Sequence, residues 1–242
     1  MEALGDPLAR RSWRRASDLA CWTHLNPKLG GMPADGGGAG LPTFEEIYAR
    51  AGADLRSVPW VRLAPHPLLV MWLDSFGSPP SAASGEALVV GCGLGDDAEE
   101  LARRGYAVTA FDVSPTAITR CQERFPRSPV GYRVADVLNL PAEWRGRFGL
   151  VVEINTLQSL PRRDRPAAVA AIAATVARGG LLFVRCRAGG VGEPDGPGRP
   201  WPVRRSELDG FTAAGLIQVD LIDRAPVPAV FPFLRAIYQR PA

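Results

Sequence analysis

The stretch Ala87-Leu88-Val89-Val90-Gly91-Cys92-Gly93-Leu94-Gly95-Asp96-Asp97 decides the fold. Four apolar residues in a row read as a strand buried on both faces. The closely spaced glycines let the backbone turn sharply and let a ligand touch the main chain with no Cβ in the way. The acids that follow suit a helix N-terminus, where the first N–H groups are unpaired and the dipole favours negative charge. A strand, a glycine turn and a helix therefore follow one another, and such a turn attracts hydrogen-bond-accepting ligand groups.

Outward from this turn the chain alternates strand and helix. Strands are predicted over 87–91, 107–112, 132–135, 150–154 and 181–186, and helices over 96–104, 115–125 and 166–177. Ser114 is placed to cap the second of these helices, with Pro115 at its first position. Gly179-Gly180 is read as the end of the third. Continuous apolar strands separated by helices predict an α/β fold with a mostly parallel sheet covered on both faces. Beyond a Gly/Pro-rich loop at 188–202, a helix over 204–214 and two antiparallel strands at 216–222 and 230–238 complete the chain.

Upstream, Thr43 and Glu46 have the spacing of a capping box, and Phe44, Ile47, Tyr48 and Ala51 fall on one helical face. A proline-stiffened connector over 58–67 and a helical segment over 68–73 follow. Residues 41–84 are thus expected to form a helical lid, and 85–242 the ligand-binding domain. Residues 1–40 read as a flexible leader, basic at first and then glycine-rich.

Composition narrows the partners. The 242 residues carry a formal net charge of +3, too balanced to imply nucleic acid. Lys28 is the only lysine, which reads as codon bias toward arginine rather than a selected surface. No apolar run approaches the roughly 20 residues of a membrane helix. Arg10, Arg11, Arg14 and Arg15 are not followed by an uninterrupted apolar core, so neither export nor insertion is expected. Cys21, Cys92, Cys121 and Cys186 have no C-x-x-C spacing, which fits thiols in a reducing cytoplasm and no metal site. A G-x-S-x-G elbow, an H-E-x-x-H pair and a G-K-[ST] P-loop are all missing from the sequence.

About twenty residues past the glycine turn, the second strand ends at Asp112, where an acid reaches the ribose hydroxyls of an adenosine. A dinucleotide fingerprint would place glycine where Asp96 stands, and an anionic side chain there opposes a pyrophosphate. S-adenosylmethionine (SAM) has no phosphate, and its sulfonium is cationic.

With those residues quoted, the run 89–95 resembles motif I of class I SAM-dependent methyltransferases. Phe111-Asp112-Val113-Ser114-Pro115 is similar to their second-strand motif, Ala135-Asp136-Val137 to their third and Leu150-Val151-Val152-Glu153 to their fourth. Pro59-Trp60 with Pro65 and Pro67 resembles the thiopurine S-methyltransferase-like and thiol/halide group. The resemblance implies a Rossmann-like three-layer sandwich with a seven-stranded sheet, its last strand antiparallel. It implies SAM as cofactor, with Gly91, Cys92 and Gly93 along the methionine part and Asp112 on the ribose. Val113 and Val137 would lie against adenine and Asp136 on its amino group. Glu153 would face the methionine amine or the acceptor, and Trp60 would close the site. Motif I usually has an acid two positions before its first glycine; here Val89 stands there.

Methyl transfer to a thiol or other soft acceptor needs no general base, whereas a natural-product hydroxyl usually does. No catalytic residue is identified. Glu153 and His66 are the candidates for a base; His24, the other histidine, lies in the leader. Thr156, Gln158 and Asn155 follow the fourth strand, where ligands gather in open sheets, and Arg187, Arg185 and Trp201 flank the late loop. Arg162, Arg163 and Arg165 read as a solvated helix start. The expected partner is a small molecule, with no nucleic acid or membrane, and the chain is expected to be a monomer or homodimer. Two alternatives remain: a methyltransferase-like module that has lost turnover, for which Val89 is the hint, and an NAD-dependent oxidoreductase.

Overall fold

The computed structural model describes residues 42–75, 85–189, 200–224 and 232–242. The leader, most of the 188–202 loop and the first residues of the last predicted strand lie outside the described residues. Two short helices come first, α1 (Phe44–Ala51) and α2 (Pro67–Asp74). The capping box expected for α1 forms: Thr43 N–H donates to Glu46 Oε2 at 2.7 Å, and Glu46 N–H to Thr43 Oγ1 at 3.1 Å.

The alternating part contains β1 (Glu86–Val90), α3 (Asp96–Arg103), β2 (Ala107–Asp112), α4 (Pro115–Arg124), β3 (Gly131–Val134), β4 (Phe148–Ile154), α5 (Arg165–Thr175) and β5 (Val176–Arg187). It closes with α6 (Arg205–Ala213), β6 (Ile217–Arg224) and β7 (Phe233–Gln239). One seven-stranded sheet runs β3-β2-β1-β4-β5-β7-β6. The first five strands are mutually parallel, and β7 is antiparallel to both neighbours, as expected. From β1 the chain steps outward to β2 and β3 and then crosses back to β4 on the other side. Strand order therefore reverses between β1 and β4, the place where ligands bind in open sheets.

Both faces of the sheet are covered. Leu88, Val90, Val151 and Leu182 pack with Ile172 of α5 and Phe211 of α6, while Ala87, Val89, Val152 and Phe183 pack with Leu69, Trp72 and Leu101 of the helices opposite. This is why β1 and β4 are apolar without alternation.

Two expectations need correction. Helix α5 ends at Thr175, and Gly179-Gly180 lies inside β5 rather than closing a helix. Val176 pairs with Phe148 and Leu181 with Leu150, so the extra residues form an irregularity in the ladder. A Cβ at Gly180 would meet the carbonyl oxygens of Ala177, Phe148 and Gly149 at 2.9–3.1 Å, so glycine serves close backbone approach there. Arg165 is not solvated either; it is 1% exposed. Its guanidinium donates to Glu207 at 2.9 Å and to the carbonyls of Leu160, Pro202 and Trp201, which tie α5 to the end of the late loop.

Candidate functional site

The carboxyl ends of β1, β2 and β4 open into a cavity of about 430 Å³, within the range of small-molecule sites. Its floor is the glycine turn. Gly91, Gly93 and Gly95 have φ of +60°, +53° and +88°, the left-handed region where other residues are strained. A Cβ on Gly91 would run into the Thr156 hydroxyl, and one on Gly95 would lie 2.5 Å from Tyr132 OH. Thr156 in turn donates to the Val90 carbonyl at 3.1 Å, which straps the segment after β4 to the end of β1.

Asp112 ends β2 on the cavity wall, 7% exposed. Its Oδ2 accepts the Gly93 N–H at 2.9 Å and its Oδ1 the Ser114 N–H at 3.0 Å. Burial pushes its carboxyl up, against the backbone N–H groups that hold it down. The acid thus sets the turn's shape and still has lone pairs toward the cavity. Asp136 uses Oδ1 for the Leu138 N–H at 2.9 Å, a local turn that also leaves it on the wall. Val137 is buried and Val113 half-exposed beside it.

An aromatic roof comes from α1 and the connector. Trp60 Nε1–H donates to Tyr48 OH at 2.8 Å, and the Trp60 ring makes edge contacts to Phe44 and Tyr48 with centroids at 5.6 and 5.8 Å. The Tyr48 hydroxyl would stand 3.1 Å from a Cβ on Gly93, so the roof lies directly over the turn. Glu45 fastens it: its carboxylate accepts Ser114 Oγ–H at 2.6 Å, the Thr116 N–H at 3.0 Å and the Thr116 hydroxyl, from the N-cap and first turn of α4. These bonds hold the Glu45 carboxyl below its usual range, and the helix terminus favours its charge.

The opposite end holds His66, Arg62, Asp97 and Asn155. His66 caps α2 with Nδ1, which accepts the Leu68 N–H at 3.2 Å, so the ring proton belongs on Nε2. Burial first, then Arg185 and Arg62, keep the ring neutral by holding its pKa well down. The ring then presents a donor and not the lone pair a base needs. Asp97 accepts the His66 N–H at 2.6 Å, and burial raises its carboxyl to about 6.

Of the residues singled out in the sequence, the fold gathers Trp60, His66, Gly91, Cys92, Gly93, Asp112, Val113, Asp136, Val137, Thr156 and Gln158 around this cavity. Glu153 and Arg187 are not on its wall. Glu153 is fully buried; its Oε1 accepts the N–H groups of Thr156 and Leu157 at 2.7 and 3.0 Å, and burial raises its carboxyl to about 7. It shapes the segment after β4, a turn-capping role. Arg187 uses its backbone N–H to hold Gln158 Oε1. Sequence reading missed Tyr48, Glu45, Arg62 and Asp97. Tyr48 alone had a signal, since it stands one turn from Phe44 on the predicted face; the rest depend on tertiary approach.

Residues 87–180 match a family described as a methyltransferase domain. A ubiquinone biosynthesis O-methyltransferase of Azotobacter vinelandii is 35% identical over 120 residues, 49% of this chain and 50% of that protein. The enzyme of the same description from Xanthomonas oryzae pv. oryzae is 35% identical over 121 residues, with the same coverage. The chain spans about half the length of the curated relatives it matches. Among solved structures, the N-methyltransferase NodS of Bradyrhizobium japonicum in complex with S-adenosyl-L-homocysteine (SAH) superposes with a TM-score of 0.63 at 23% identity, covering 82% of this chain and 98% of that one. The Burkholderia thailandensis 1,6-didemethyltoxoflavin-N1-methyltransferase gives 0.62 at 19%, covering 84% and 93%. The fold is the Rossmann-like one of these enzymes.

Proposed function

We propose that this chain, whose residues 87–180 match the methyltransferase-domain family, transfers a methyl group from SAM to a small-molecule nucleophile. One observation carries the reading: the left-handed glycine turn, Asp112 locked onto it and Asp136 share one cavity of about 430 Å³. SAM supplies an electrophilic methyl group on a sulfonium. Gly91, Cys92 and Gly93 run along its methionine part, Asp112 accepts the ribose hydroxyls, Asp136 takes the adenine amino group, and Val113 and Val137 flank the base. Asp96, ion-paired to Arg124 at 2.8 Å, keeps a carboxylate at the mouth of α3, which suits a sulfonium better than a pyrophosphate.

Helix α1 and the connector form the lid, with Trp60 and Tyr48 excluding water from an in-line displacement. Positioning and water exclusion are worth several kcal/mol or more in such reactions. With His66 presenting a donor and Glu153 behind the wall, the chain favours acceptors that need no base: a thiol, another soft nucleophile or an acidic natural-product hydroxyl. Pro59-Trp60 supports the thiopurine S-methyltransferase-like grouping. Thr156 and Gln158 lie on the acceptor side, with Arg187 behind them. Near-balanced charge supports a partner other than nucleic acid, and free Cys92, Cys121 and Cys186 support a reducing compartment such as the cytoplasm.

A screen for SAH release across thiols, halides, phenols and amines, run beside binding titrations with SAH and NADH, tests this. SAH binding with turnover of at least one acceptor class is expected. NADH binding without SAH binding, or SAH binding with no acceptor turned over, would contradict it. The lid makes a further expectation. Glu45→Ala removes the three bonds to Ser114 and Thr116 and should weaken SAH binding several-fold while the thermal midpoint moves little. Unchanged affinity would detach the lid from cofactor binding.

A further inference from the structure

We infer that the acceptor is bound as an anion, at a cationic end of the cavity made by Arg62, the His66 Nε2–H and, behind Asn155, Arg185. The inference rests on the methyl-transfer reading and adds the acceptor's charge to it. Strand order divides the cavity. With the nucleoside over β2 and β3 and the sulfonium over β1, the ends of β4 and β5 are left for the acceptor.

Arg62 lines the cavity, and its Nε, shielded from solvent, has no hydrogen-bond partner among the described residues. Arg185 stands level with Ile154 across the β4–β5 pair, and Ile154 is itself on the wall. Its Nη1–H donates to Asn155 Oδ1, its guanidinium lies 5.7 Å over the Phe233 ring, and its Nε also has no partner among the described residues. Neither guanidinium forms an ion pair among the described residues. The two also repel each other, and both oppose protonation of His66. The nearest acids answer this charge only in part: Asp97 attracts Arg62 and Glu153 attracts Arg185, each without ion-pair contact. Asp97 uses Oδ1 on the backbone N–H of His66 and Glu153 uses Oε1 on the turn after β4, and burial raises the Glu153 carboxyl to about 7, so it holds part of a proton near neutrality. Partly buried guanidiniums without a counter-ion in contact are costly, and an arriving anion relieves that cost.

The chemistry agrees. An anionic nucleophile gives its electron pair to the methyl carbon, the carbon–sulfur pair leaves with sulfur, and no proton remains to be removed. Arginines beside the acceptor keep a thiol or phenol ionised and so replace the missing base. A pendant carboxylate on the acceptor would use the same cations to orient it.

Matched acceptors test the inference with the full chain: thiosalicylate against its amide, protocatechuate against its amide, and thiophenol. The wild type should prefer each acid over its amide by about tenfold or more in kcat/KM. Arg62→Gln and Arg185→Gln should remove that preference while SAH affinity stays within about twofold. Thiophenol turned over as well as thiosalicylate, and slowed by the same variants, would identify the nucleophile itself as the bound anion. Three results would overturn the inference: amides as good as acids with neither slowed by the arginine variants, SAH affinity lost in both variants (which moves the arginines to the cofactor's carboxylate), or SAH bound with no anionic acceptor methylated. A wild type that fails to bind SAH refutes the methyl-transfer reading itself, a result visible before any acceptor is added.

Discussion

Asp112→Asn should weaken SAH binding by about 1–3 kcal/mol, roughly five- to 150-fold. The substitution keeps the side chain's shape and removes its charge, so the loss comes from hydrogen bonding. Both carboxylate oxygens accept backbone N–H groups, from Gly93 and from Ser114. An amide has one accepting end; its NH₂ must face one of those N–H groups, donor against donor. The glycine turn is then held on one side only, and one of the oxygens facing the ribose becomes a donor. Calorimetric titration with SAH reads the loss, and a parallel melt shows how much is lost fold. Affinity equal to the wild type would remove Asp112 from the ribose assignment.

Glu153→Gln should stabilise the protein above neutrality and progressively less toward pH 5. Glu153 has an ordinary value of 4.5 and is raised to about 7 in the fold, chiefly by burial. Between those values the folded state holds a proton that the unfolded state has released. Stability therefore falls as pH rises from about 4.5 through about 7, by a total on the order of 3 kcal/mol. Glutamine can direct its carbonyl oxygen at the Thr156 and Leu157 N–H groups and place a neutral NH₂ where Oε2 lacks a partner among the described residues. Asp97 and His66 titrate in both proteins, so the difference between them isolates Glu153. The thermal midpoint of the variant should exceed the wild type's by several degrees at pH 8, at about 2–4 °C per kcal/mol, and the gap should close by pH 5. A gap independent of pH would mean that Glu153 is ionised throughout.

The strand–turn–helix at Gly91 was legible because glycine at left-handed φ and acids at a helix start are local demands of the backbone. The same holds for Ser114 and Pro115 at α4 and for the Thr43–Glu46 box. The strand count and the lone antiparallel strand came from the family resemblance, and the sheet order emerged only from the fold, since pairing between distant strands leaves no local mark. The reading failed where long-range contact overrides local preference. Gly179-Gly180 looks like a helix end and lies inside β5, where Gly180 lets the backbones of β4 and β5 approach closely. Arg165 looks like a surface arginine and is buried against carbonyls that arrive from the far end of the loop. Glu153 has the right strand end for a ligand contact, but its side chain turns back to cap the next segment. Glu45, Arg62 and Asp97 became visible only once α1 and the connector were seen folded over the turn.

A crystal structure of the full chain with SAH tests the central claim most directly. The ribose hydroxyls should lie within hydrogen-bond distance of Asp112, with the homocysteine part along Gly91 to Gly93 beneath Trp60. A nucleoside bound elsewhere, or a glycine turn still closed by Tyr48 and Thr156 with no ligand against it, would contradict the account.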